Sequence, residues 1–273
     1  MQPRTIAFLG AGNMTRALLF GLQAADYPMT CITVAAPTAT RREALAAATG
    51  VATTEDNLVA ARTAAVIILA VKPQQMAAVC QSLNRGDLSK KLILSVVTGI
   101  TLKQYAQRLG AQHTIIRVMP NTPASIGYGM SGLYAPPSVS SADKAFAESL
   151  LQSVGEVCWL AKEQDINTVI AAAGSAPAYF FQWMHSMQQS AVAMGLEPQQ
   201  ARQLVQQAAL GAAHLAIQQP ELTLQALSDQ VTAKGGTTEA ALQIFQQQQF
   251  NATINAAMQA AVLRAEALQQ SLD

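Results

Sequence analysis

The chain of 273 residues contains few of the side chains that build disulfide frameworks or metal centres. It has three cysteines (Cys31, Cys80 and Cys158) and three histidines (His113, His185 and His214). The cysteines are far apart in the sequence and form no C-x-x-C pair. We therefore predict neither a disulfide framework nor a thiolate metal cluster, and a reducing compartment is favoured. The histidines are equally scattered, so we expect no metal site.

Charge and long apolar runs are also scarce. Charged residues make up 12% of the chain and the formal net charge is +1, so no basic stripe or patch predicts a nucleic-acid or membrane partner. The longest purely apolar run, residues 64–71, is far shorter than a bilayer-spanning helix. The first strand follows closely on Met1 without the apolar core of a signal peptide, and we therefore expect a cytoplasmic protein.

Up to about residue 160, short β-branched runs alternate with helical stretches, a pattern typical of a parallel sheet wound by helices on both faces. The candidate strands are residues 6–9, 31–34, 66–69, 92–97, 115–119 and 157–160. Right-handed crossovers place the C-terminal ends of such strands at one edge, where a ligand binds. The loops expected at that edge are residues 10–14, 35–40, 71–74, 98–100 and 120–124.

Beyond about residue 165 strand signals disappear, and alanine-, glutamine- and leucine-rich helical segments follow. They are interrupted near Pro177, residues 195–198, Pro220 and residues 235–236. This half has ten charged residues, few for a free-standing helical domain, and we predict that it self-associates. The alternative is a polar surface built from glutamine, as in residues 246–249.

A glycine-rich turn links the first strand to a helix. Gly10, Ala11, Gly12, Asn13 and Met14 would direct backbone N–H groups and the positive helix end at a pyrophosphate, as in dinucleotide-binding units. The third glycine of the usual G-x-G-x-x-G pattern is replaced by threonine at position 15, and a plain tight turn would use the same glycines. We predict an α/β fold: a Rossmann-like doubly wound sheet in residues 1–163, followed by an all-α dimerisation domain in residues 164–273.

The end of the second strand indicates which nicotinamide cofactor is used. An NAD-preferring site places a carboxylate there for the ribose hydroxyls, but no carboxylate precedes Glu43. Thr38, Thr40, Arg41 and Arg42 could instead bind a 2′-phosphate. We therefore expect NADPH as the cofactor, with NADH possible. The alternative is an ordinary helix cap followed by two solvated arginines.

Four further segments occur in a characteristic order after the opening GAGNM. They are VKPQ (71–74), RVMPNTPA (117–124), GSAPAYFF (174–181) and VTAKGGTTEAAL (231–242). Over essentially the whole chain, this series resembles the pyrroline-5-carboxylate reductase family, and GGTT is its most specific part. The resemblance implies hydride transfer from NAD(P)H to the imine carbon of 1-pyrroline-5-carboxylate, which gives L-proline. The scarcity of charge noted above predicts a homodimer or higher oligomer formed through the C-terminal helices.

The GGTT segment is the predicted substrate site. Successive N–H groups of Gly235, Gly236, Thr237 and Thr238 could form a nest for a carboxylate. The resemblance implies that Thr238 lies near the ring nitrogen of the substrate, which makes it the candidate catalytic residue. The alternative is local: a helix that ends at Gly235 and a new one capped by Thr237 or Thr238.

The resemblance also assigns the cofactor contacts. They are Gly10, Ala11, Gly12, Asn13, Met14, Thr38, Asn57, Val71, Lys72 and Pro73, with Asn121 and Pro123 along the nicotinamide, and Arg41 joins them from the phosphate argument above. A plain helix cap is the alternative for Asn57. The chain departs from the family pattern at Ala233 and Lys234, where a Ser-Pro pair is usual. It also departs at residues 97–99, where Val-Thr-Gly replaces Ala-Ala-Gly.

Two other functions are compatible with this organisation. One is another reductase with a Rossmann-like and a helical domain, such as a β-hydroxyacid dehydrogenase or a general imine reductase. Such an enzyme would carry a catalytic lysine or acid on the first long helix of the second half, but residues 166–173 contain no lysine. The other is a non-catalytic NADP-binding sensor, which would not need the GGTT segment or the NTP loop.

Overall fold

Short runs of isoleucine, valine and leucine form the middle of an eight-stranded sheet in the computed structural model, which describes residues 2–271. The strands are β1 (Ile6–Leu9), β2 (Ile32–Ala35), β3 (Ala52–Thr54), β4 (Val66–Leu69), β5 (Leu92–Ser95), β6 (Thr114–Met119), β7 (Gly129–Tyr134) and β8 (Gly155–Trp159). Their order is β3-β2-β1-β4-β5-β6-β7-β8, and every neighbouring pair is parallel except β6 and β7. The strand order therefore reverses between β1 and β4: β2 and β3 are added on one side of β1, and β4 and the later strands are added on its other side.

Helices cover both faces of this sheet. The helices of this part are α1 (Asn13–Ala24), α2 (Ala39–Thr49), α3 (Asn57–Thr63), α4 (Met76–Leu83), α5 (Leu102–Leu109) and α6 (Ser141–Gln152). Alternate residues of one strand enter different cores: Ile6 and Phe8 pack with α1 and α6, whereas Ala7 and Leu9 pack with α3, α4 and α5. Because each central strand is buried on both faces, it reads as a continuous apolar run. The predicted doubly wound sheet is confirmed.

The six predicted strands are present with ends shifted by a few residues, and two strands were missed. β3 is a three-residue strand at the sheet edge, too short to produce a pattern. β7 contains Gly129 and Gly132, which count against a strand in sequence-based prediction. Both glycines allow close packing, because an added β-carbon would lie 2.8 Å from Ala124 at the first and 2.8 Å from Val169 at the second.

The rest of the described chain is helical, as predicted. The helices are α7 (Asp165–Val169), α8 (Ala176–Ala193), α9 (Pro198–Gln218), α10 (Leu224–Gln230), α11 (Thr237–Gln247) and α12 (Phe250–Gln270). The predicted interruptions near Pro220 and at residues 195–198 and 235–236 separate these helices, and Pro177 lies in the first turn of α8. No helix within residues 2–271 combines the length and hydropathy needed to cross a bilayer.

The chain divides into two compact units. One comprises residues up to Pro177 together with those from Ala260 onward, and the other comprises Ala178–Gln259. The domain limits predicted from the sequence, 1–163 and 164–273, stay a prediction. Within the second unit only Ala201 and Val205 are buried, whereas several large apolar side chains are exposed, among them Phe181 at 63% and Ile217 at 71%.

The cysteines take up three different environments and form no disulfide with one another in the described chain. Cys80 is buried, Cys31 is half-buried and Cys158 is exposed. Burial raises the pKa of the Cys80 thiol to about 11 because the thiolate would lose its hydration. This cysteine therefore stays protonated at neutral pH and acts as a small apolar core residue.

Candidate functional site

The turn after β1 has a backbone that only glycine accommodates. Gly10 has φ +114°, and its N–H donates to the carbonyl oxygen of Ala35 at 2.8 Å. A β-carbon at this position would overlap the carbonyl group of Ala70 at the end of β4. The turn therefore lies where the sheet reverses its strand order, which is the usual ligand crevice of an open α/β sheet.

Thr15 explains how the turn keeps its shape without a third glycine. Its side chain is fully buried, and its hydroxyl donates to the carbonyl oxygen of Gly10 at 2.8 Å. This bond closes the loop between the end of β1 and the first turn of α1. The departure from the G-x-G-x-x-G pattern is thus compatible with the predicted phosphate-binding turn.

The N-terminus of α1 differs from several other helix ends of the same chain. Side-chain oxygens of Asp56, Thr101, Ser140 and Thr223 accept hydrogen bonds from N–H groups in the first turns of α3, α5, α6 and α10. The cap of α1 is Gly12, and no side chain of the described chain bonds to its first turn. The first-turn N–H groups of α1 are therefore left for an external acceptor, as in helix ends that bind phosphate.

A cleft of about 520 Å³ lies beside this turn. Eight of the predicted cofactor residues line it: Gly10, Ala11, Gly12, Thr38, Arg41, Asn57, Val71 and Lys72. Four further lining residues lie in the predicted edge loops, namely Ala35, Ala36, Pro37 and Gln74. The sequence did not single out the last four, which are Ala70, Gln75, Ala78 and Val79.

The charges around the cleft favour an anion. Arg41 and Lys72 line it, and none of its described lining residues is acidic. Arg42 has another role, because its guanidinium donates to the carbonyl oxygens of Ala36 and Pro37 at 3.0 and 3.1 Å. Arg42 therefore holds the backbone after β2, and Arg41 is the arginine available to a phosphate.

Asn57 lines the cleft rather than capping a helix. The cap of α3 is Asp56, whose carboxylate oxygen accepts from the N–H groups of Leu58 and Val59 at 2.7 and 3.3 Å. The helix-cap alternative for Asn57 is therefore wrong. Its position one residue after the cap leaves the side-chain amide available to a ligand.

The remaining predicted cofactor residues do not line this cleft. Asn13 borders an adjoining cleft of about 580 Å³, Met14 packs against the core, and Pro73 begins a short helical turn after Lys72. Pro123 is half-buried in another short turn, Thr122–Ile126.

Asn121 has a structural role in addition to any ligand contact. Only 7% of it is exposed, and its side-chain amide donates to the carbonyl oxygen of Ala173 at 3.1 Å. Its side-chain oxygen accepts from the N–H of Met130 at 2.9 Å. Asn121 thus joins the end of β6 to β7 and to the segment that precedes α8.

The GGTT segment forms the start of α11 in the helical unit. The preceding helix ends at Gln230, α11 begins at Thr237, and its cap is Gly236 without a side-chain bond. The alternative in which a helix ends at Gly235 and a threonine caps the next helix is therefore wrong. The hydroxyls of Thr237 and Thr238 have no hydrogen-bond partner among residues 2–271.

The two glycines of this segment use their own N–H groups internally. Gly235 has φ +73°, and its N–H donates to the Glu239 carboxylate at 2.7 Å. The N–H of Gly236 donates to the carbonyl oxygen of Ala233 at 2.9 Å. The predicted nest of four N–H groups is therefore wrong for Gly235 and Gly236, because these bonds occupy their N–H groups and fix the turn. The N–H groups of the two threonines remain at the open helix end.

Two family models match the chain. The model for pyrroline-5-carboxylate reductase dimerisation matches residues 163–268, and the model described as NADP oxidoreductase, coenzyme F420-dependent, matches residues 5–99. The dimerisation match supports self-association of the helical half, as predicted from its scarcity of charge.

Named relatives match this chain over almost its whole length. The pyrroline-5-carboxylate reductase of Vibrio alginolyticus is 50% identical over 270 residues, and that of Pasteurella multocida is 46% identical over 274 residues; each alignment covers 99% of both chains. Among solved structures, a pyrroline-5-carboxylate reductase from Coxiella burnetii is 36% identical with a TM-score of 0.88, covering 98% of this chain and 99% of that one. The Plasmodium falciparum enzyme, solved with NADP bound, has a TM-score of 0.89 at 26% identity, over 98% and 99% of the two chains.

Proposed function

The chain belongs to the pyrroline-5-carboxylate reductase family, and from this premise we propose how its residues serve the reduction of 1-pyrroline-5-carboxylate to L-proline by NAD(P)H. The observation that carries the function is the 50% identity to a named reductase over 99% of both chains. The chemistry is an oxidoreduction of a C=N bond. The assignments of individual residues below are proposals that rest on the geometry of each unit.

The dinucleotide would bind in the cleft beside the glycine turn. The open N-terminus of α1 suits a pyrophosphate, and Gly10 allows the turn to lie directly against the carbonyl group of Ala70, which leaves no room for a side chain there. Arg41 and Thr38, at the start of α2, would bind a 2′-phosphate, and the side-chain amide of Asn57 would contact the adenine side. When bound, the reduced nicotinamide supplies the hydride.

The carboxylate of the substrate would bind at the open end of α11. There the N–H groups of Thr237 and Thr238 and both hydroxyls are available, and the helix end carries partial positive charge. The bond from Gly235 to Glu239 holds the preceding turn, so little reorganisation is needed when an anion binds. Ala233 lacks the hydroxyl of the serine that the family pattern has at this position, so binding would depend on these threonine groups.

Thr238 would assist the reaction at the ring nitrogen. Its hydroxyl would donate a hydrogen bond to the lone pair of the neutral imine nitrogen and would pass on a proton that solvent water replaces. The iminium carbon would then accept the hydride, so that one proton from water and one hydride convert the C=N bond into an amine. The substrate cation itself draws the hydride, so alignment is the main task of the protein. Residues 166–173 contain no lysine that could replace Thr238 as the acid.

The assembly is a homo-oligomer, and we propose that the exposed apolar side chains of α8 and α9 form its interface. Four of these side chains are each more than half exposed: Phe180, Phe181, Leu204 and Leu210. Removing such apolar surface from water is favourable, so their exposure in the single chain indicates a surface that a partner covers. A dimer or a larger assembly would cover them. The cytoplasmic location expected from the sequence stays a prediction.

Replacement of Arg41 by alanine should weaken NADPH binding by about tenfold, which corresponds to about 1.4 kcal/mol for an exposed charge-assisted contact. NADH binding should change little, because NADH lacks the 2′-phosphate. Titration of each cofactor by nicotinamide fluorescence measures both constants. Arg85→Ala, which removes an exposed arginine that does not line the cleft, is the matched control; an equal loss for both cofactors would contradict the assignment.

An assay of the purified chain tests the function. We expect consumption of NADPH with 1-pyrroline-5-carboxylate and formation of L-proline in equal amounts, with slower or weaker use of NADH. β-Hydroxyacids offered with the oxidised cofactor should give no reduction of NADP. Binding of NADPH without turnover of the cyclic imine would favour the sensor, and turnover of hydroxyacids alone would favour the dehydrogenase.

A further inference from the structure

The loop after β5 lies directly against the last turn of α12. Gly99 in this loop has φ +78°, and a β-carbon there would lie 3.0 Å from Cβ of Leu268 and 3.6 Å from the backbone nitrogen of Gln269. A glycine is thus needed both for the backbone conformation and for the contact. The loop and the last turn of α12 belong to the same compact unit.

Two hydrogen bonds fix this turn of α12. The side-chain amide of Gln104, which is 3% exposed, donates to the carbonyl oxygen of Gln269 at 3.0 Å. The side-chain amide of Gln269 donates to the side-chain oxygen of Asn167, which is 6% exposed, at 3.0 Å. Because Gln104 and Asn167 are buried, breaking either bond would leave a buried polar group without a partner, which lowers the free energy of unfolding. We call Gln104, Asn167, Leu268 and Gln269 the C-terminal clasp.

The same loop is held from its other sides as well. The N–H of Val97 donates to the hydroxyl oxygen of Ser95, the last residue of β5, at 3.3 Å. Just after the loop, the N–H of Leu102 donates to the Glu163 carboxylate at 2.7 Å, and the buried Arg117 holds that carboxylate at 3.0 Å. Among these contacts, those of the clasp are the ones in which residues near the C-terminus, Leu268 and Gln269, take part.

We propose that the C-terminal clasp is a positioning device for residues 97–100. The proposal rests on the proposed function, because residues 98–100 are one of the loops expected at the ligand-binding edge of the sheet. β5 is the neighbour of β4, and adjacent strands lie about 4.8 Å apart. The loop after β5 is therefore next to the residues after β4 that line the cleft. A shift of about 1 Å in such a loop can lower a reaction rate by about 100-fold without removing any reacting group.

Three variants test the clasp: Gln269→Ala, Asn167→Ala and the double variant, with the exposed neighbour Gln270→Ala as the matched control. Each single variant should lower kcat by about tenfold and leave the NADPH Kd within about twofold. The primary isotope effect on kcat with C4-deuterated NADPH should rise, because hydride transfer becomes slower than the other steps. The double variant should resemble the single ones, since they remove the same bond.

The outcomes separate the clasp from the proposed function. If the unmodified chain does not reduce the cyclic imine, the proposed function is refuted, and the proposed role of the clasp is refuted with it. If the unmodified chain is active and Gln269→Ala matches it in kcat and isotope effect, the clasp alone is refuted. A parallel loss of kcat, NADPH affinity and melting temperature, without a change in isotope effect, would show a merely structural role and also refute it. Gln269 is half-buried, so its variant should fold even if Asn167→Ala does not.

Discussion

Thr238→Ala should lower kcat for reduction of the cyclic imine by about 100-fold, the lower end of the range for loss of a group that assists proton transfer. The expected cause is the loss of a hydroxyl that has no partner among the described residues and stands in the first turn of α11. NADPH affinity should stay unchanged, because the proposed dinucleotide contacts belong to the other unit. Steady-state kinetics and a fluorescence titration measure the two quantities.

Two neighbouring variants serve as controls. Thr238→Ser keeps the hydroxyl and should retain most of the activity. Thr237→Ala should raise KM for the imine more than it lowers kcat, because the proposed role of Thr237 is to bind the carboxylate. An unchanged kcat for Thr238→Ala would remove Thr238 from the mechanism, and an equal loss in Thr238→Ser would show that shape rather than the hydroxyl matters.

Gly10→Ala should weaken dinucleotide binding by at least about 100-fold, or about 2.7 kcal/mol, because the methyl group displaces a backbone carbonyl beside the proposed pyrophosphate site, whereas the strain of a side chain at positive φ acts mainly on folding. The carbonyl in question belongs to Ala70, which itself lines the cleft. The turn must therefore move where the pyrophosphate is expected to bind. Fluorescence titration with NADPH measures the loss.

Gly50→Ala is the matched control for Gly10→Ala. Gly50 also has a positive φ, of +76°, but no atom lies within 4 Å of an added β-carbon. This variant should lose about 1 kcal/mol of unfolding free energy through backbone strain and bind NADPH normally. If both variants bound the cofactor equally well, the close approach of Gly10 to Ala70 would have no part in binding.

The strands of the sheet were predictable from the sequence where a strand is itself a continuous apolar run. β1, β4 and β5 are buried on both faces, so their apolar runs are visible without knowledge of their neighbours. β7 was not predictable in this way, because its glycines are explained by contacts with Ala124 and Val169, which lie elsewhere in the chain. Its antiparallel pairing with β6 follows from the turn that Asn121 begins, and no local periodicity encodes it.

The candidate cofactor cleft was largely predictable for a different reason. Most of its wall comes from the loops that follow β1, β2 and β4, and strand order alone brings these loops to one edge. The sequence could not indicate which of two adjacent arginines faces the cleft. That choice depends on the bonds from Arg42 to the carbonyl oxygens of Ala36 and Pro37, which leave Arg41 available.

Long-range polar contacts were invisible in the sequence. Gln269 bonds to residues 102 and 165 positions earlier in the chain, and nothing in its surroundings distinguishes it from the many other glutamines of the helical half. The GGTT turn was partly predictable, less so than the cofactor cleft and more so than the contacts of Gln269. Its position as a turn was predictable, but the internal use of both glycine N–H groups depends on Glu239 and Ala233 and on the φ of Gly235.

The sparse interior of the second unit links folding to subunit concentration. With only Ala201 and Val205 buried, that unit has too few internal apolar contacts to offset the conformational entropy of ordering its helices. Association that covers the exposed apolar side chains would add stabilising free energy, and by mass action this contribution decreases as the protein is diluted. Mutations on the surfaces of α8 and α9 would then alter cellular abundance as strongly as mutations in an ordinary core.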